Sequence, residues 1–107
     1  MKNYGNTCKV QEFESNGAIE SDTDVAIYTG ANAGLLGLPA NAKNGHRILV
    51  KNLGGNTSLT VLDGLERIVN YNTSVKSDSV VVGRRATMFR FVKTESVGDV
   101  WLLESYY

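Results

Sequence analysis

At 107 residues and 11.6 kDa the chain has the length of one domain, with a core that removes roughly 60 to 68% of the unfolded surface from water. Hydrophobic residues make up 42% and charged residues 21%, which excludes disorder as the default, and no apolar run approaches the ~18 residues of a membrane span. Eleven basic residues balance eleven acidic ones, so no net field favours nucleic acid or an anionic membrane surface, and a single cysteine, Cys8, excludes an internal disulfide.

The first letters, MKNYGNTCKV, carry neither an apolar signal core nor an Arg-rich transit pattern, so no address outward is expected. Residues 1–23 are polar and turn-rich, with Asn3, Gly5, Asn6, Asn16, Gly17 and Asp22 interrupting one short candidate strand near Thr7 to Phe13. They read as an N-terminal arm. It is either a frayed terminus with an edge strand or a segment that docks on a neighbouring subunit, with Tyr4, Val10 and Phe13 as candidate contacts.

From residue 24 to 107 the pattern is that of a β domain. Asp24 to Thr29 predicts a strand, with Val25 and Ile27 opposite Ala26 and Tyr28. In GANAGLLGLPAN, Gly30, Gly34, Gly37 and Pro39 forbid a helix while Leu35, Leu36 and Leu38 demand burial, so an irregular apolar segment is expected. Leu38 plugs the core and Pro39 ends the strand before it. Asn44-Gly45 then reverses the chain. Arg47 to Asn52 alternates, with Ile48 and Val50 on one face and Arg47, Leu49 and Lys51 on the other, and Leu59 to Leu62 resumes the alternation after Gly54-Gly55-Asn56. The two predict a β-hairpin.

Asp63-Gly64 marks another turn, Glu66 to Val69 a short strand with Ile68 inward, and residues 70–78 a polar connection. The three valines of Ser79 to Val82 suit burial on both faces. After the charged interruption Gly83-Arg84-Arg85, Ala86 to Val92 sets Met88, Arg90 and Val92 against Phe89 and Phe91, and Val100 to Glu104 closes the chain. Trp101 is expected to cover the apolar face and to bury more area than any other residue. The expectation is an all-β fold, an antiparallel β-sandwich or jelly roll of about eight short strands preceded by the arm.

Reactive groups are few. His46 is the only histidine and has no signalled partner, so it reads as a surface residue at a strand start. Cys8 has no second thiol and reads as a bystander. Asp22, Asp24, Asp63, Glu66, Asp78, Glu95, Asp99 and Glu104 fall mainly at turns, where solvated acids sit, and form no glycosidase pair. The glycines punctuate turns and spell no phosphate-binding loop, and the triplets at Asn56 and Asn72 are chance glycosylation matches. No catalytic, cofactor or metal residue is assigned. Arg84, Arg85, Arg90 and Lys93 form a basic cluster, which is a solvated strand face or a contact for acidic partner residues. Tyr106 and Tyr107 end the chain, and an aromatic end tucks over its own core, packs on a neighbour or stacks on a sugar.

The order DVAIYTG, LPAN, NGHRILVKNLGGNTSLTV, DGLERI, SVVV, TMFRFV and DVWLLES resembles a β module of tailed-bacteriophage virion proteins. The likeness covers residues 24 to 105, with Gly37 standing where that module usually has Thr. It implies a non-enzymatic structural protein on the virion surface, made in the bacterial cytoplasm and assembled as a homotrimer. No cofactor, nucleic acid or membrane insertion is implied. The short length, without a stalk, favours a capsid decoration (cement) or head-fibre protein, with the arm attaching to the major capsid protein or another virion protein. The alternative is the tip of a tail fibre or tail needle that grips host surface glycan through Tyr71, Tyr106 and Tyr107. A small glycan hydrolase is the reading from another class, and no paired carboxylates signal it.

Overall fold

The computed structural model describes residues 8–54, 58–70, 75–83 and 86–106, of which residues 105 and 106 are described by backbone alone. These residues form strands and no helix: β1 (Val10–Phe13), β2 (Gly17–Ala18), β3 (Val25–Tyr28), β4 (Gly34–Gly37), β5 (Arg47–Asn52), β6 (Leu59–Leu62), β7 (Ile68–Val69), β8 (Lys76–Ser77), β9 (Ser79–Val81), β10 (Ala86–Thr94) and β11 (Gly98–Tyr106). They make a seven-stranded sheet in the order β1-β3-β5-β10-β11-β7-β8 and a four-stranded sheet in the order β2-β4-β6-β9. Both sheets contribute to one core.

The expected central hairpin does not form. β5 pairs with β3 and β10 in the larger sheet, whereas β6 pairs with β4 and β9 in the smaller one. The alternation itself is as read, with Ile48, Val50, Leu59 and Val61 all buried. A two-residue period reports which face is buried and not which strand lies alongside. Here Arg47–Asn52 belongs to the larger sheet and Leu59–Leu62 to the smaller one.

The same crossing occurs at every step of the first half. β1, β3 and β5 are parallel neighbours, and so are β2, β4 and β6, so the chain winds three times around the core. The expectation of antiparallel sheets is corrected accordingly. Parallel strands need a crossover, and each crossover is itself a strand of the opposite sheet. Bonds outside the strands continue the stacking, among them Thr29 N to Phe13 O (2.8 Å), Ile19 N to Gly37 O (2.8 Å), Leu38 N to Leu62 O (2.8 Å) and Leu53 N to Tyr28 O (2.7 Å). The second half is antiparallel where β10 lies between β5 and β11, with a register shift between Met88 and Phe89.

Two further expectations change. Gly34–Gly37 is the regular strand β4, because its glycines answer a packing demand: a methyl on Gly30 or Gly34 would fall on the Tyr28 ring. Tyr28 is itself buried, and its hydroxyl donates to Asn32 O at 2.6 Å. Val81 is 62% exposed on the edge strand β9, so the valine run is buried on one face only, through Val80 and Val82. Residues 8–23 are woven into both sheets through β1 and β2, with Ile19 and Thr23 buried. Ile68 points inward, Leu38 is buried, and Trp101 is the largest fully buried side chain among the described residues, as read.

Candidate functional site

Two polar clusters are built on this frame. The first lies where the stretches Leu38–Ala40, Asp63–Arg67 and Trp101 meet. Asp63, expected as a solvated turn acid, is only 1% exposed. Its carboxylate takes a two-pronged contact from the Arg67 guanidinium, Nε to Oδ2 at 2.9 Å and an Nη to Oδ1 at 3.0 Å, and Arg67 N donates to Oδ2 at 2.8 Å. Burial works against its charge, yet these bonds from Arg67 hold the carboxyl below the usual carboxylate range.

Arg67 also donates to Ala40 O (2.9 Å) and Pro39 O (3.4 Å). Its guanidinium lies 5.6 Å from the centre of the Phe91 ring, which in turn packs on Trp101 at 4.9 Å between centroids. Trp101 Nε1 donates to Pro39 O at 3.3 Å, and Trp101 N to Arg67 O at 3.0 Å. The turn between the ion-pair partners carries Glu66 at φ 55°, a left-handed backbone. The available sequence signal was Asp63 and Arg67 four residues apart across Gly64, a spacing that brings the two side chains together around a tight turn.

The second cluster is an open cleft of about 640 Å³ at the N-terminal ends of β1, β3 and β5. Lys9, Asp22, Asp24, Asn41, Lys43, His46 and Lys93 contribute to its walls. Strand winding places them: Val10, Val25 and Leu49 are in register, so the residues just before each strand stack at one end. Lys9 N donates to Asp24 Oδ2 at 2.8 Å, and the Lys9 ammonium reaches Glu20 and, at 2.7 Å, Asp22 Oδ1. Hydrogen bonds to Asp22 and Glu20 raise the Lys9 pKa, and the bond from Lys9 lowers that of Asp22.

The Asn44-Gly45 turn forms the far wall. Gly45 has φ 87° and donates to Phe91 O at 2.6 Å, Phe91 N donates to His46 O at 2.8 Å, and Lys93 N donates to Asn44 Oδ1 at 2.9 Å. His46 Nε2 lies 2.7 Å from Thr23 O. A carbonyl only accepts, so this nitrogen carries the proton. Asp24 Oδ1 is 4.0 Å from the same Nε2. A serine-activating triad needs the carboxylate on Nδ1 and Nε2 open to the hydroxyl. Although Ser21 lines the same cleft, Nε2 is committed to a backbone carbonyl. Among the described residues no cluster of three or more His, Cys, Asp or Glu could hold a metal.

Of the residues singled out as partner contacts, Val10 is 52% exposed on the edge strand β1. Phe13 is half-buried, packs on the core and closes over Gly17, where a Cβ would lie 2.6 Å from its Cδ1. Tyr106 ends β11, with its side chain outside the description. Tyr4, Tyr71, Arg84, Arg85 and Tyr107 lie outside the described residues. Arg90 does not join a free basic face, because its Nε lies 3.6 Å from Glu104, which also takes a 2.9 Å bond from Arg47.

Comparison of the chain with protein-family models, with curated proteins and with solved structures finds no match.

Proposed function

We propose that this chain is a non-enzymatic structural protein of a bacteriophage virion surface, a trimeric capsid decoration or head-fibre protein bound to the major capsid protein or another virion protein. The observation that carries the reading is the convergence of LPAN, DGLERI and DVW in one buried cluster. Stretches whose order and spacing make the resemblance are the stretches this core joins through Pro39, Ala40, Asp63, Arg67 and Trp101.

Of the two architectures left open by the sequence we take the sandwich. Contact falls to the sheet edges. Among the described residues β1 and β2 are the outer strands of their sheets at the same end of the wound half, so the first turn of the chain presents a strand edge on both sheets. Such an edge accepts a strand from a neighbour. In this reading residues 1–23 attach through that edge, with Val10 as its exposed apolar side chain.

The glycan-gripping tip gains no support from the described aromatics. Tyr28, Phe89, Phe91 and Trp101 are buried and Phe13 is half-buried, so none offers an open face to a sugar. The test is cosedimentation of the purified chain with empty heads and with isolated tails of the virus that encodes it, alongside light scattering. Saturable binding to heads and a trimer mass agree with the reading. Binding to tails alone, or a glycan-array signal without head binding, overturns it.

A further inference from the structure

We infer that the cleft at the N-terminal ends of β1, β3 and β5 binds a small oxyanion, a carboxylate or a phosphate. The charges on its walls are unequally satisfied. Asp22 is answered by the Lys9 ammonium, and Asp24 takes the Lys9 N–H on one oxygen and faces His46 with the other. Lys9 itself is paired with Glu20 and Asp22.

Lys43 and Lys93 line the same cleft, and neither ammonium has an ion-pair or hydrogen-bond partner among the described residues. They are held near each other by the backbone. Lys43 accepts from His46 N at 3.0 Å at the start of the Asn44-Gly45 turn, and Lys93 N is bonded to Asn44 Oδ1. The turn is in turn fixed to β10 by Gly45 N on Phe91 O. The site is thus an anchored wall in a cleft lined by Lys43, Lys93 and Asn41, with two ammonium groups unanswered among the described residues and a volume suited to a small ligand. A bound oxyanion supplies the missing counter-charge through charge-assisted hydrogen bonds. The inference does not depend on the virion reading.

Titration of the isotope-labelled full chain with sodium phosphate and with sodium glucuronate, at constant ionic strength and followed by amide NMR, tests it. Saturable shifts centred on Lys43, Asn44, Gly45, His46 and Lys93 are expected. The Lys43→Ser/Lys93→Ser variant, altered only at exposed side chains, should bind on the order of tenfold more weakly with an unchanged thermal midpoint. Saturation by phosphate alone assigns a phosphate ligand, and saturation by glucuronate alone assigns a sugar acid. Non-saturating shifts with both probes, shifts spread equally over Lys51 and Lys76, or undiminished binding by the double variant would overturn the site.

Discussion

The Asp63–Arg67 cluster and the Lys9–Asp22 cluster use the same chemistry, a carboxylate facing a cation, and have opposite consequences. In the first, the side chains are 2% and 12% exposed, and the guanidinium is shared among Asp63, Pro39 and Ala40. In the second, Lys9 and Asp22 are 35% and 73% exposed at the rim of a cleft. Removing water makes the buried pair part of the frame, because breaking it strands a charge in the core. Leaving water in place makes the outer pair weak and exchangeable. Position in the fold, not residue type, separates scaffold from surface chemistry here.

The largest effect that sharpens this contrast is expected from Arg67→Ala. It leaves the Asp63 carboxylate buried and unpaired and should cost about 3–5 kcal/mol in urea unfolding. A loss no greater than that of a surface substitution would break the contrast. Trp101→Phe removes the donor to Pro39 O and part of the packing on Phe91, and about 1–3 kcal/mol should be lost in the same assay.

The pH dependence follows from the direction of the Asp63 shift. A carboxyl whose pKa is depressed by folding adds stability above its unfolded value, about 3.9, and loses it as pH falls toward the folded value. Urea midpoints should therefore drop below about pH 4, and the slope should flatten in Asp63→Asn. Asp22→Asn should leave the slope nearly as in the parent, since that pair is open to solvent. Smallest of all is Lys9→Ala, for which the thermal midpoint should stay with the parent at moderate salt. A clear loss there would assign the cleft rim to the frame.

Much of the fold was legible where one face of a strand is buried. Phe89 and Phe91 against Met88 and Arg90, Ile48 and Val50 against Leu49, and Ile68 inward all follow from a period of two. Partner choice was not legible. Gly54-Gly55-Asn56 looks like a hairpin loop, and nothing local in Arg47–Asn52 distinguishes an antiparallel neighbour just ahead in the chain from a parallel one, β3, whose paired residues lie 24 positions back. That choice is made by the winding of the whole first half. Gly30 and Gly34 misled for a related reason, since their smallness serves the Tyr28 ring, a contact visible only once the coils are stacked.

The two clusters were hidden for different reasons. Asp63 was read as solvated because turns usually face water, whereas its turn folds back beneath Pro39. The cleft is assembled from Lys9, Asp24, His46 and Lys93, which only the register of β1, β3, β5 and β10 brings together.

If contact falls at the β1 edge, as proposed, and the buried cluster is scaffold, one binding curve separates the two. Cosedimentation with empty heads should show saturable binding by the parent chain. Val10→Asp, changed at an exposed edge position, should bind on the order of tenfold more weakly while keeping the parent thermal midpoint. Equal binding by parent and variant, or no binding by the parent, would contradict it.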